Sequence, residues 1–132
     1  MVFIIFGLIC GEIYAAGNKN ANACTNAQRV SFVKSFGYEL LSDTAETKEV
    51  NIPTIFSDVY KNYNQLQKKA NFDLSQYKGC DVVIYTYNIK APKDYSGECV
   101  FNMIVYKGRV IGGDISSRQL DGYMLPIVKV KN

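Results

Sequence analysis

GCDVVIYTYNIK (79–90), APKDYSGE (91–98), CVFNMIVYK (99–107), GR (108–109) and VIGGDI (110–115) form one continuous stretch that decides the fold. Three runs rich in Val, Ile, Tyr and Phe are separated by Gly, Pro, Asp and Ser. β-Branched and aromatic side chains suit a pleated surface and the punctuation supplies turns, so the stretch predicts an antiparallel meander. Val83, Tyr85, Tyr87 and Ile89 share one face of its first strand, with Val82, Ile84, Thr86 and Asn88 on the other. In the second strand Cys99, Phe101, Met103 and Val105 alternate with Val100, Asn102, Ile104 and Tyr106. Lys107-Gly108-Arg109 reads as a tight reversal, and Gly112-Gly113 as a bulge or close backbone approach. Residues 126–131 could add a last short strand.

Working outward, Thr25-Asn26-Ala27-Gln28 has the form of a capping box opening a helix. Ala27, Val30, Val33 and Phe36, widened by Phe32, carry its apolar stripe, and Gly37 is placed to end it in the left-handed conformation. Residues 38–41 and 48–52 read as edge strands or extended connectors. A second helix is expected over 54–71, with Phe56, Val59, Tyr60, Tyr63, Leu66 and Ala70 inward and Asp58, Lys61, Gln65, Lys68 and Lys69 outward. Residues 72–79 read as a compact turn into the meander. The fold expected is α+β: two helices on one face of a four- to five-stranded antiparallel sheet. The 132 residues suit one domain, over 25–132, and 48% apolar residues are enough for a core without metal or disulfide help.

Residues 1–17, MVFIIFGLICGEIYAAG, read as a signal peptide or N-terminal membrane anchor, and 18–24 as a polar linker. The apolar run lacks a basic lead and meets Glu12 at its far end, and a buried N-terminal strand or helix is the alternative. The expected location is therefore extracytoplasmic, secreted or tethered, with the membrane touched only through this segment. Neither Cys10 nor Cys24 follows a lipidation pattern.

Fifteen Lys and Arg against twelve Asp and Glu, without a basic stripe, give no nucleic-acid signature. With no histidine and no CxxC spacing, no metal or cofactor site is implied. A Cys nucleophile would lack its usual base. Cys80 and Cys99 open different strands of a hairpin and are not expected to bridge. Gly112-Gly113-Asp114 shares letters with the start of a cyclic-dinucleotide synthase signature, but Ile115-Ser116 is the wrong continuation and the chain is too short. Asp114 is instead expected to end a strand or to satisfy backbone N–H groups at the bulge. Glu98, Asp114 and Asp121 are the remaining acid–base candidates, and a small hydrolase using them is the alternative function. No catalytic residue is assigned. The candidate binding surface is Tyr85, Tyr87 and Tyr106 beside Lys107 and Arg109, on the sheet face opposite the helices, for a protein or an envelope polymer.

NAQRVSFVKSFGYEL (26–40), VNIPTIFSDVYKNYNQLQKKANFDLSQYKGCDVVIYTY (50–87) and MIVYKGRVIGGDISSRQLDGYM (103–124) together resemble the bacterial family DUF4830. The most particular parts are the Phe36-Gly37-Tyr38-Glu39 helix end, the FDLSQYKG turn and the VYKGRVIGGDI hairpin. The resemblance implies a small exported or membrane-anchored protein of Gram-positive bacteria and names no activity.

Overall fold

The computed structural model describes residues 20–130. The expected leader over 1–17, with Cys10, lies outside the described residues. Helix α1 (Asn26–Ser35) is followed by strand β1 (Glu46–Asn51), helix α2 (Asp58–Lys68) and a 3-10 turn (Leu74–Tyr77). Strands β2 (Asp81–Ile89), β3 (Cys99–Tyr106), β4 (Arg109–Ser117) and β5 (Met124–Leu125) complete the chain. All five strands form one antiparallel sheet in sequence order. The fold is α+β, with two α-helices and a five-stranded antiparallel sheet among the described residues.

The local signals that start α1 act as read. Thr25 accepts the Gln28 N–H at 3.1 Å, and Gln28 reaches back to the Thr25 N–H. Gly37 ends the helix at φ 88°. Helix α2 is shorter than expected. Ser57 accepts the Tyr60 N–H at 3.2 Å and so fixes its start. Its end is set by Asn71, left-handed at φ 68°, beyond which the Phe72 N–H returns to Gln67 C=O at 3.0 Å.

The two helices do not share a face, which corrects the expected layering. On one face Tyr87, Ile89, Phe101, Met103 and Val105 pack with Phe32, Val33 and Phe36 of the α1 segment. On the other, Val82, Ile104 and Ile111 pack with Leu74, Phe56, Tyr60 and Tyr63 of the α2 segment. Each face carries apolar strand residues, so each needs its own cover. The inward side of α2 also differs from its expected apolar stripe: Val59 is 79% exposed, whereas Asn64 and Gln67 are buried. Among the described residues Cys24, Cys80 and Cys99 are free thiols, and Cys80 and Cys99 do not bridge.

Lys107 (φ 48°) and Gly108 (φ 76°) make a two-residue turn with both φ positive, the hairpin geometry that matches strand twist. The β3–β4 register then shifts between Ile104 and Val105, so Ile111 is the extra residue of a bulge just before Gly112. Of the strand expected over 126–131, the described residues 126–130 form none. Pro126 has no N–H to continue the ladder after β5, and residues 126–130 are anchored irregularly. There the Tyr38 hydroxyl donates to Val128 C=O at 2.9 Å and the Val130 N–H to Phe36 C=O at 2.8 Å.

Asn64 and Asp73 join α2 to the 3-10 turn. Asn64 donates to the Asp73 carboxylate at 2.9 Å and accepts the Leu74 N–H at 2.7 Å. Ser75 adds its N–H and hydroxyl to the same carboxylate oxygen. These donors, Asn64 first, hold the Asp73 carboxyl down to about 2. A depressed folded-state value means stability that is present above the unfolded value near 4 and lost as pH falls toward 2. Asp73→Asn is therefore expected to be less stable than the parent at pH 6, with the gap closing by about pH 2. Urea midpoints against pH read this directly, and a gap constant across that window would contradict it.

Candidate functional site

The expected surface residues do not come together. Tyr87 is fully buried on the α1 face, where its hydroxyl donates to Asn26 Oδ1 at 2.6 Å and accepts from Arg29 Nε at 3.3 Å. Burial raises the Tyr87 phenol, and Arg29 opposes the shift. Tyr85 lies half-buried beneath the Arg29 guanidinium, 3.8 Å from its ring centroid. Tyr106 faces the α2 side against Tyr77, with centroids 5.5 Å apart and the Lys107 ammonium 5.3 Å from its ring. Arg109 donates to Asn20 C=O at 3.4 Å. The tyrosines thus divide between two sheet faces, and both faces carry a helix.

The acidic candidates are also dispersed. Asp114 is 3% exposed in mid-β4, neither ending the strand nor serving backbone donors as expected. Its carboxylate accepts from the Tyr63 hydroxyl at 2.5 Å, Asn102 Nδ2 at 2.9 Å and the Ser116 hydroxyl at 2.5 Å. The Asn102 carbonyl oxygen accepts in turn from Thr86 at 2.6 Å. Burial first, and the Asp114 charge second, push the Tyr63 phenol well above its ordinary value. Glu98 is exposed and lies 3.9 Å from Arg118 Nε, while Asp121 is exposed in the β4–β5 loop. No described groove gathers the three. Among the described residues no group of three His, Cys, Asp or Glu side chains could hold a metal ion.

The concave surface lies elsewhere, around the β2–β3 loop (91–98). On one side this loop and residues 125–130 enclose a groove of about 510 Å³, floored by Tyr38, Leu125 and Pro126 and rimmed by Lys93 and Lys129. On the other side a groove of about 700 Å³ runs from Leu41 and Ser42 past Asn88 and Lys90 to Glu98. Tyr95 lines both grooves. Its ring rests on Tyr123 at 4.4 Å between centroids, and Asp94 beside it is held at φ 73°. Tyr123 sits beside the buried Cys99 thiol; burial raises both groups. Burial also pushes the Tyr38 phenol up to about 12.

Sequence reading missed these grooves because three segments far apart in the chain build them. The available signal was an aromatic residue inside a Pro, Lys, Asp, Ser and Gly loop, a composition that favours the surface. Of seven large apolar side chains exposed among the described residues, Leu41, Tyr95 and Val128 line these two grooves.

A sequence model described as "Domain of unknown function (DUF4830)" matches residues 32–115, from α1 through the bulged hairpin to the middle of β4. The chain belongs to the DUF4830 family. The match spans the Phe36-Gly37-Tyr38-Glu39 helix end, the 3-10 turn and the Lys107-Gly108 hairpin that carried the resemblance. The family description assigns no activity. No curated protein and no solved structure matches the chain.

Proposed function

We propose that this DUF4830 domain is a non-catalytic binding module of the bacterial cell envelope, exported or tethered through residues 1–17. It would hold a protein or an envelope polymer in the grooves beside Tyr95. The observation that carries this reading is the convergence of exposed apolar side chains on one loop. Tyr95, Leu41 and Val128 are 41%, 65% and 41% exposed, yet they line adjoining concavities rimmed by lysines. Scattered surface apolar residues need no explanation, whereas a cluster around a concave site is the usual mark of recognition. An aromatic ring anchored from beneath offers contact area with little ordering cost. The alternative, hydrolysis by loop carboxylates, draws no support from a buried Asp114 saturated with donors and a Glu98 and Asp121 apart from it.

The test uses solubilised envelope from the producing cells, fractionated into protein and polymer. The domain is expected to bind one fraction, and Tyr95→Ala to weaken that binding about tenfold, the cost of losing one aromatic anchor. The fold should persist, because Tyr95 lies at the surface. Equal retention of both proteins, or retention of neither, would sink the reading. The intact mass of the mature protein from the same cells tests export: loss of the first residues up to 16–23 is the expected result for a cleaved leader.

A further inference from the structure

The two edges of the sheet are treated differently. The outer edge of β4 is covered along its length by three devices. Residues 20–23 pair with it through Asn20 N–H to Val110 C=O (3.2 Å), Val110 N–H to Ala21 C=O (2.9 Å) and Ala23 N–H to Gly108 C=O (2.7 Å). The Gln67 side chain takes both backbone groups of Gly113, and β5 pairs with Ile115 and Ser116. On the opposite side, residue Leu40 bridges Ile89 and covers the end of β2. Of the two terminal strands, β5 is only two residues long, whereas β1 offers six residues with no strand on its outer side among the described residues. It has no proline and no bulge, and five of its six residues are exposed.

Which backbone groups face outward follows from the ladder. The Ile52 N–H donates to Cys80 C=O at 2.9 Å, so Ile52 points toward β2. Leu41 N–H bonds Asn88 C=O and Lys90 N–H bonds Glu39 C=O, placing the even-numbered β2 residues on that same edge. In the register Glu46↔Thr86 to Asn51↔Asp81, Glu46, Lys48 and Val50 therefore bond inward. The N–H and C=O of Thr47, Glu49 and Asn51 point out.

We propose that this edge receives an extended segment of a different protein, added antiparallel as a further strand, with a basic residue opposite Glu49 and an acidic residue opposite Lys48. Charge decides against a second copy. Two-fold antiparallel pairing must oppose residues of the same sheet face. The two registers of greatest overlap then centre on Lys48 or on Glu49, setting Lys48 against Lys48 or Glu49 against Glu49. Like charges directly opposite each other are destabilising, and charged edge residues are a standard guard against self-pairing. A heterologous strand with the complementary pair gains what the self-pair loses, while main-chain hydrogen bonds supply the affinity. Glu46 is held by Arg118 at 3.2 Å, leaving Lys48 and Glu49 as the edge's readable charges. The site is separate from the Tyr95 grooves, so Tyr95→Ala should leave it unaffected and either reading can fail alone.

The test uses the full-length chain and two short blocked peptides of Val and Thr. One carries Lys opposite Glu49 and Glu opposite Lys48, and the other has these two charges exchanged. The domain alone is expected to be monomeric by light scattering. The first peptide should slow amide exchange at Thr47, Glu49 and Asn51 and bind about tenfold more tightly than the second. Glu49→Lys, an exposed change that spares the fold, should favour a peptide with Glu at the position facing residue 49 over the first. Glu49→Pro should abolish binding while the inward amides of Lys48 and Val50 stay protected, because it removes an outward N–H only. Self-association through this edge, no protection at the three amides, or equal binding of the two peptides would each overturn the proposal.

Discussion

Gly113→Ala is expected to lose about 3–5 kcal/mol of folding stability, from an overpacked contact and a strained backbone acting together. Gly113 sits in β4 at φ 153°, a conformation few residues with a side chain adopt. A Cβ there would press into the Asn102 backbone carbonyl of β3 and come within 2.7 Å of Ile127 Cδ1. The carbonyl belongs to a ladder and has no rotamer through which to retreat. Neighbouring Gly112 provides the internal comparison. A Cβ at Gly112 would meet Gln67 Oε1 at 2.8 Å and Leu74 Cδ2 at 3.1 Å; the Leu74 end can turn aside, and Gln67 need give only a few tenths of an ångström without breaking its two bonds to Gly113. Gly112→Ala is therefore expected to cost clearly less, about 1–2 kcal/mol. A domain of this size has a total stability of about 5–15 kcal/mol, so Gly113→Ala should leave a protein that unfolds at a fraction of the parent's urea midpoint. Equal midpoints for the two alanine variants would show that β4 can slide away from β3 and that the close approach is not enforced.

This pair of glycines also marks where the sequence was informative and where it was not. The close approach was legible because two adjacent glycines interrupt a run of Val and Ile that otherwise suits a strand. Thr25 with Gln28, Gly37 and Lys107-Gly108 were legible for the same reason: local hydrogen bonding or φ dictates the residue type. The placement of α2 on the second sheet face was harder to see. Even-numbered strand residues are apolar at Val82, Ile84 and Ile104 but polar at Thr86, Asn88 and Asn102, so that face reads as half wet. Tyr60, Tyr63, Asn64 and Gln67 form the stripe that covers its apolar half, and two amides in a helical stripe look like solvent-facing residues. Only the tertiary contacts show that they satisfy backbone groups. The grooves beside Tyr95 were illegible for a different reason, since no local pattern joins residues 38–41, 91–98 and 125–130.

Gln67→Leu is the second large expected effect, a loss of about 2–5 kcal/mol despite a conservative change in volume. Gln67 is fully buried, with Nε2 donating to Gly113 C=O and Oε1 accepting the Gly113 N–H, both at 2.8 Å. The side-chain amide thus stands in for a peptide unit of an absent neighbouring strand, at the point where β5 has already ended before Pro126. Leucine would fill similar space while leaving one donor and one acceptor buried without partners, and each such group costs about 1–3 kcal/mol. The transfer of leucine from water into this buried site offsets only part of that, because two polar groups lose their partners against the gain from one apolar side chain. Gln67→Glu separates the two bonds. The carboxylate can still accept the Gly113 N–H but can no longer donate to its C=O unless protonated. Its folded-state proton affinity should therefore be raised, making the variant more stable at pH 5 than at pH 8, whereas the leucine variant should show no such slope. Urea unfolding of both variants at the two pH values decides the matter. A leucine variant within about 0.5 kcal/mol of the parent, the scatter of surface substitutions, would mean that the Gly113 groups find other partners and that the strand-mimic role of Gln67 is incidental.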